Sequence, residues 1–359
     1  MKKNIFYFLL ISFLFFSDTT SVYAEKEAMF YKNINGKTIR CDLCPHKCIL
    51  DKGETGFCKV RLNRDGKLYS LVFGKPCTVN IGPIEKAPFY HFLPGSKRLC
   101  VATAGCNMRC SFCQNWQISQ NGPEDIRSFS LTPEELVQKA AQLEIPTICY
   151  TYSEPIVFYE YMYESSILAK NSGIRTTMVS NGFINSLPMK KLIPYLDAVK
   201  IDLKAFSTKF YEDICDAKLE EVKNTLKLLK ENKKHFEIVV LIIPTLNDSD
   251  PELNSMCKWI SVNLGNDIPI HFSRFVPSYK LTSLPMTPVK TLERAHKIAK
   301  KNHLKYVYIG NVPGHIYNST YCPSCGKILV KRMQYEVTKL NISKGKCKFC
   351  GLSIPGVWE

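Results

Sequence analysis

From residue 99 onward the chain alternates two kinds of apolar pattern. Short, nearly continuous apolar runs fall at 99–104, 146–151, 175–180, 198–203, 237–243, 268–273 and 305–309. Between them lie longer stretches whose apolar residues recur every three or four positions. The runs read as buried strands and the spaced stretches as amphipathic helices. Thr132-Pro-Glu-Glu135 supplies an N-cap, a proline at the first helical position and a capping-box glutamate, with Leu131 and Leu136 placed as an apolar staple. Asp250-Pro251 and Thr287-Pro288 repeat the cap-and-proline start, and Gly173 ends the helix after Pro155. Such alternation predicts an α/β fold with a parallel sheet and helices outside it. Six or seven strands in this length fit a partial (β/α) barrel better than a closed one of eight.

The flanks have other patterns. Two lysines, an apolar run at 5–16 and Val22-Tyr-Ala24 read as a secretory signal over residues 1–24. That run is too short to span a bilayer, which takes about 20 residues. No transmembrane helix is expected in the mature chain; the alternative is an uncleaved, membrane-associated N-terminus. Residues 60–62 and 68–73 flank Asn63-Arg-Asp-Gly66 and predict a hairpin. Three prolines within 83–96 exclude long regular elements and leave an ordered linker or lid, with His91 as a packing residue or one facing the site. The division expected is a signal at 1–24, an N-terminal four-cysteine module with linker at 25–98, a core at 99–314 and a C-terminal module at 315–359.

The chain has 359 residues, 45% of them apolar, which suits one large domain with small attachments. Its 16 cysteines are too many for packing alone. They group as Cys41, Cys44, Cys48 and Cys58, then Cys106, Cys110 and Cys113, then Cys322, Cys325, Cys347 and Cys350, with Cys77, Cys100, Cys149, Cys215 and Cys257 left over as small buried thiols. Short clustered spacings favour metal ligation over a disulfide framework. The formal charge of +16 gathers on the flanks, +7 over 25–98 and +5 over 315–359. That permits nucleic acid or an acidic partner, although solvated lysines are the commoner reason for such a surplus.

Cys106-x3-Cys110-x2-Cys113 follows the first core strand. Three thiolates are too few to close a four-thiolate site, but they suit a 4Fe–4S cluster with one iron open to a small molecule. A zinc loop borrowing a fourth ligand is the alternative. The N-terminal four cysteines can close a zinc site or hold a second iron–sulfur cluster. The C-terminal two are Cys-x2-Cys-Gly knuckles with a hairpin expected between them, a zinc-ribbon pattern for which a rubredoxin-like iron site is the alternative.

In parallel barrels chemistry gathers at the C-terminal ends of strands. The polar residues there are Ser153-Glu154, Ser180-Asn181-Gly182, Asp202 with Lys204, Asn247-Asp248, His271 with Arg274, and Gly310-Asn311. Asp202 and Lys204 stand two apart and share one face. Each has a plainer role as well. Glu154 can open the helix at Pro155, Asp202 and Lys204 can form an internal ion pair, and His271 and Arg274 can be structural.

The blocks 41–61 and 83–96, the cluster loop running into Gln114-Asn-Trp-Gln-Ile-Ser-Gln120, Thr151-Tyr-Ser-Glu-Pro155 and Ile201-Asp-Leu-Lys-Ala-Phe206 together resemble one family. So do Ile243-Pro-Thr-Leu-Asn-Asp248, His271-Phe-Ser-Arg-Phe275 and the closing cysteine pairs. It is the AmmeMemoRadiSam-system radical S-adenosylmethionine (radical SAM) family, relatives of pyruvate formate-lyase activating enzymes. The resemblance implies a 4Fe–4S cluster on Cys106, Cys110 and Cys113, and SAM contacts from Glu154, Ser180, Asn181, Asp202 and Lys204. His271 and Arg274 are candidate substrate contacts. Ser153 stands where Thr is expected and Gly82 where Asp is common.

The implied activity is that of an oxidoreductase: reductive cleavage of SAM to a 5′-deoxyadenosyl radical, then hydrogen abstraction from a substrate not legible here. Activation of a partner enzyme by glycyl-radical formation leads among its versions. The alternatives are modification of a peptide, RNA or metabolite, and an exported metal-binding or electron-transfer protein without SAM chemistry. Implied partners are a low-potential donor of flavodoxin or ferredoxin type and a protein substrate or Memo-type partner. The leader argues for export, which conflicts with SAM chemistry; the alternative is the cytoplasm.

Overall fold

A computed structural model describes residues 26–359, so the expected signal at 1–24 lies outside the described residues. Eight strands form the central sheet: β1 Thr78–Pro83, β2 Lys97–Ala102, β3 Thr147–Tyr150, β4 Arg175–Ser180, β5 Ala198–Asp202, β6 His235–Ile242, β7 Ile270–Arg274 and β8 Val307–Gly310. Their spatial order is their chain order, and β1 and β8 stand at opposite edges. From β2 to β8 all neighbours are parallel; β1 alone runs antiparallel, pairing Thr78 with Ala102 and Pro83 with Lys97. The result is an α/β fold with a mostly parallel, partial barrel open between its edge strands.

The seven strands expected from the apolar runs are all present. β1 was not expected, because Thr78-Val-Asn-Ile-Gly-Pro83 alternates weakly and ends in proline, a residue tolerated on a sheet edge. The capping box at Thr132 forms as expected, with Glu135 N donating to Thr132 Oγ1 at 3.1 Å and Thr132 N to Glu135 Oε2 at 2.7 Å. Thr287 does something else. It is buried, donates to Ile242 O at 2.5 Å and accepts from Phe275 N at 3.0 Å, tying β6 to the end of β7 instead of capping the helix Val289–Lys301.

The proline-rich run becomes the barrel's plug. Ile84, Ala87, Phe89 and Phe92 pack against Cys149 of β3 and Ala198 of β5. His91 is buried as a packing histidine between Tyr308 Oη at 2.7 Å and Pro355 O at 2.6 Å, while its backbone N donates to Glu237. The C-terminal hairpin, Ile328–Met333 with Glu336–Leu340, docks beside it. Arg332 lies 4.0 Å over the Tyr90 ring, donates to Tyr90 O at 2.7 Å and pairs with buried Glu85. This module therefore sits by the N-terminal ends of β6–β8.

The N-terminal module packs on the other side. Its hairpin Arg61–Arg64 and Lys67–Ser70 turns through Asp65 and Gly66, both at positive φ (52° and 91°), which favours the Asp-Gly pair found there. Arg61 is buried and forms an ion pair with Glu160 of the helix Tyr159–Asn171 at 3.0 Å.

Candidate active site

The loop after β2 carries Cys106, Cys110 and Cys113 to the wall of a cavity of about 510 Å³, within the range of small-molecule sites. Gly105 makes the approach. At φ +95° a Cβ there would lie 2.7 Å from Cys58 O and from Val60 Cγ1, so the cluster loop rests directly on the N-terminal module. Asn107 Oδ1 accepts from Asn181 Nδ2 at 2.9 Å and its own amide donates to Phe183 O at 2.7 Å, tying the loop to the end of β4.

Glu154, Ser180, Asn181, Asp202 and Lys204, expected from different strand ends, all line this cavity. Glu154 is buried and accepts from Ser180 Oγ at 2.7 Å, Asn181 N at 2.8 Å and Ile156 N at 3.1 Å. Burial pushes its carboxyl up to about 7 despite those donors. Glu154 caps the turn at Pro155 and also lines the cavity. Burial alone would raise Asp202 as well, but Lys200 and Lys204 outweigh it and hold the carboxyl at about 2. Lys204 Nζ meets Asp202 Oδ2 at 2.9 Å, and Lys200 bonds the other oxygen.

Lys200 was missed. It stands two residues before Asp202 on the same strand face, so the alternation that linked Asp202 with Lys204 would also have found it. Lys86, Ala87 and Pro88 line the cavity too, because the plug reaches it from below, and Arg98 joins them from β2. His271 and Arg274 do not line it. His271 is buried near the start of β7 and bonds Glu237 Oε2 at 2.7 Å, while Arg274 Nε donates to Thr287 O at 2.7 Å. Their neighbour Ser273 is the β7 residue on the cavity wall.

The donor set fits a cluster with an open iron. Three thiols face the cavity, and Cys215, which hydrogen-bonds Cys110, does not line it. Among the described residues, one set of Cys, His or carboxylate ligand atoms lies wholly within 4.8 Å: Cys322, Cys325, Cys347 and Cys350. Their sulfurs approach to 3.6 Å (Cys322 to Cys350) and 3.8 Å (Cys325 to Cys347), the spread expected around a single tetrahedral ion. The C-terminal four are thus arranged to hold one metal ion.

A model of the radical SAM superfamily matches residues 100–256. An uncharacterized protein of Methanocaldococcus jannaschii is 44% identical over 331 residues, 92% of this chain and 98% of that protein. The pyruvate formate-lyase-activating enzyme of Clostridium pasteurianum is 24% identical over 172 residues, 45% of this chain and 69% of that enzyme. Among solved structures, a radical SAM methyltransferase from Sphaerobacter thermophilus aligns with a TM-score of 0.48 at 17% identity, covering 66% of this chain and 71% of that one.

Proposed function

The chain belongs to the radical SAM superfamily, and we propose that it abstracts a hydrogen atom from a partner protein to install a glycyl radical. The observation that carries the SAM chemistry is the convergence of three thiols, a buried carboxylate and a doubly paired aspartate on one cavity. Similarity to a pyruvate formate-lyase-activating enzyme supports the choice of a glycyl partner. In this reading Cys106, Cys110 and Cys113 hold the 4Fe–4S cluster, and Glu154, Ser180, Asn181, Asp202 and Lys204 hold SAM. When bound, these groups supply a one-electron reductive cleavage and a 5′-deoxyadenosyl radical that takes the substrate hydrogen.

The chain's own work is binding, orientation and exclusion of water. Glu154 offers a carboxylate edge to a cationic amine, fixed by Ser180 and the Asn181 amide, and a charge-assisted bond there outweighs a neutral one. Lys200 and Lys204 keep Asp202 ionised as an acceptor and leave Lys204 partly committed to it. The plug closes the barrel floor beneath the cavity and excludes bulk solvent from it. The reading also takes zinc as the structural ion of the C-terminal module, and a flavodoxin- or ferredoxin-type protein as one-electron donor. It takes residues 1–24 as an export signal, which a reporter fused at residue 30 tests by its location.

Incubation with SAM, reductant and a glycyl-radical enzyme carrying α-deuterated glycine tests the substrate. The expected result is deuterium in 5′-deoxyadenosine and a glycyl signal in the electron paramagnetic resonance spectrum. Deuterium arriving from a peptide, RNA or small metabolite instead overturns the glycyl assignment.

A further inference from the structure

We infer that Cys41, Cys44, Cys48 and Cys58 hold a second iron–sulfur cluster, seated against the loop of the first, and not a single zinc ion. Three sets of thiols in this chain can be compared directly. The C-terminal four gather within 4.8 Å, as ligands of one ion do. The N-terminal four do not, and neither does the triad on the cavity wall. The N-terminal set thus shares the wider spread of the cluster ligands.

Their interior agrees. The four cysteines line a cavity of about 20 Å³, together with Gly56, Arg61 and Asn107 among others. Sulfurs drawn in to about 2.3 Å from a common ion leave no room among them for even a water-sized sphere. All four cysteines border this small cavity, so they are not drawn onto one another as the sulfurs around a single ion are. Gly56 helps them converge: a Cβ placed there would be 3.8 Å from the sulfurs of both Cys48 and Cys58.

Arg61 points to the charge of the occupant. It is 1% exposed, and its Nε has no hydrogen-bond partner although both Nη atoms do. A buried, unsatisfied guanidinium donor beside four thiols calls for an anionic acceptor. A thiolate-ligated cluster offers sulfur atoms in that position and carries negative charge. The same cavity includes Asn107, which lies between Cys106 and Cys110, and Gly105 touches Cys58 O. His46 reinforces the seam by bonding Asn107 O at 2.9 Å. The second cluster therefore borders the first cluster's loop, placed to pass it one electron received from the low-potential donor protein.

The test uses the full chain with Cys106, Cys110 and Cys113 all changed to alanine, reconstituted anaerobically with iron and sulfide. It does not depend on SAM cleavage, which this variant lacks by construction. We expect about four irons and four sulfides per chain to remain, a reduced paramagnetic signal, and loss of both on adding Cys41→Ala and Cys58→Ala. No retained iron, one zinc bound at these thiols, or a Cys41–Cys58 disulfide would overturn the assignment. Because removing two buried cysteines risks unfolding, Arg61→Lys in the triad-free chain is the second arm. It keeps a positive charge facing Glu160 but loses the Nε donor along with the Nη2 bond to Met29 O, so the midpoint potential of the retained cluster should move to more negative values. An unchanged potential would contradict the placement of Arg61 on the cluster.

Discussion

Burial pushes the Glu154 carboxyl up to about 7 against the donors at Asn181, Ser180 and Ile156, which favour its anion. Between pH 4.5 and about 7 the folded chain therefore holds a proton that the unfolded chain releases. Stability from this group is fully present below that window and is lost as pH rises through it, by up to roughly 3 kcal/mol. Denaturant midpoints of the SAM-free protein should fall more steeply over this range than those of Glu154→Gln, which cannot titrate. SAM affinity should run the other way, rising with pH in the wild type and staying flat in the variant. Parallel curves for the two proteins in both measurements would remove Glu154 from the binding site. At this scale the sequence was informative where a residue stood at a strand end and misleading where a strand's exact end mattered. His271 looked like a mouth residue because the apolar run was read as 268–273, whereas β7 is Ile270–Arg274 and puts His271 near its start. No local pattern announces that its partner is Glu237, 34 positions away.

At the scale of elements, the alternation of strands and helices was legible because each core strand is buried on both faces and so reads as an unbroken apolar run. The plug was not, since a segment that packs by shape has no period to read. Two predictions belong here. Gly105→Ala places a Cβ against Cys58 O and Val60 at positive φ, whereas Gly173→Ala meets nothing within 4 Å at a similar positive φ. The second substitution costs about 1 kcal/mol of backbone strain and the first at least twice that. Thermal denaturation should rank them so, and only Gly105→Ala should lower the iron retained by the triad. Equal losses would mean that the loop does not rest on the N-terminal module. Arg332→Met strands the buried Glu85 carboxylate and should cost about 3–5 kcal/mol. Adding Glu85→Gln should restore part of it; no loss in the single variant would show that the C-terminal hairpin is held by other contacts.

Across the whole molecule, the three cysteine sets divide the chain's metal chemistry by geometry. The triad opens onto the cavity, the C-terminal four gather within 4.8 Å of one another by the foot of the sheet, and the N-terminal four line a small cavity beside the triad's loop. Spacing along the chain separated the sets but did not distinguish an ion from a cluster for the first of them. That difference lies in how closely the sulfurs gather in space, which spacing along the chain does not record. Among the described residues no helix is long and apolar enough to cross a membrane. Cleavage of SAM at Cys106, Cys110 and Cys113 is tested by incubating the anaerobically reconstituted chain with dithionite and SAM and measuring 5′-deoxyadenosine. It predicts steady formation by the wild type and none by Cys110→Ala. Absence of product from a cluster-loaded wild type, or equal product from the variant, would contradict it.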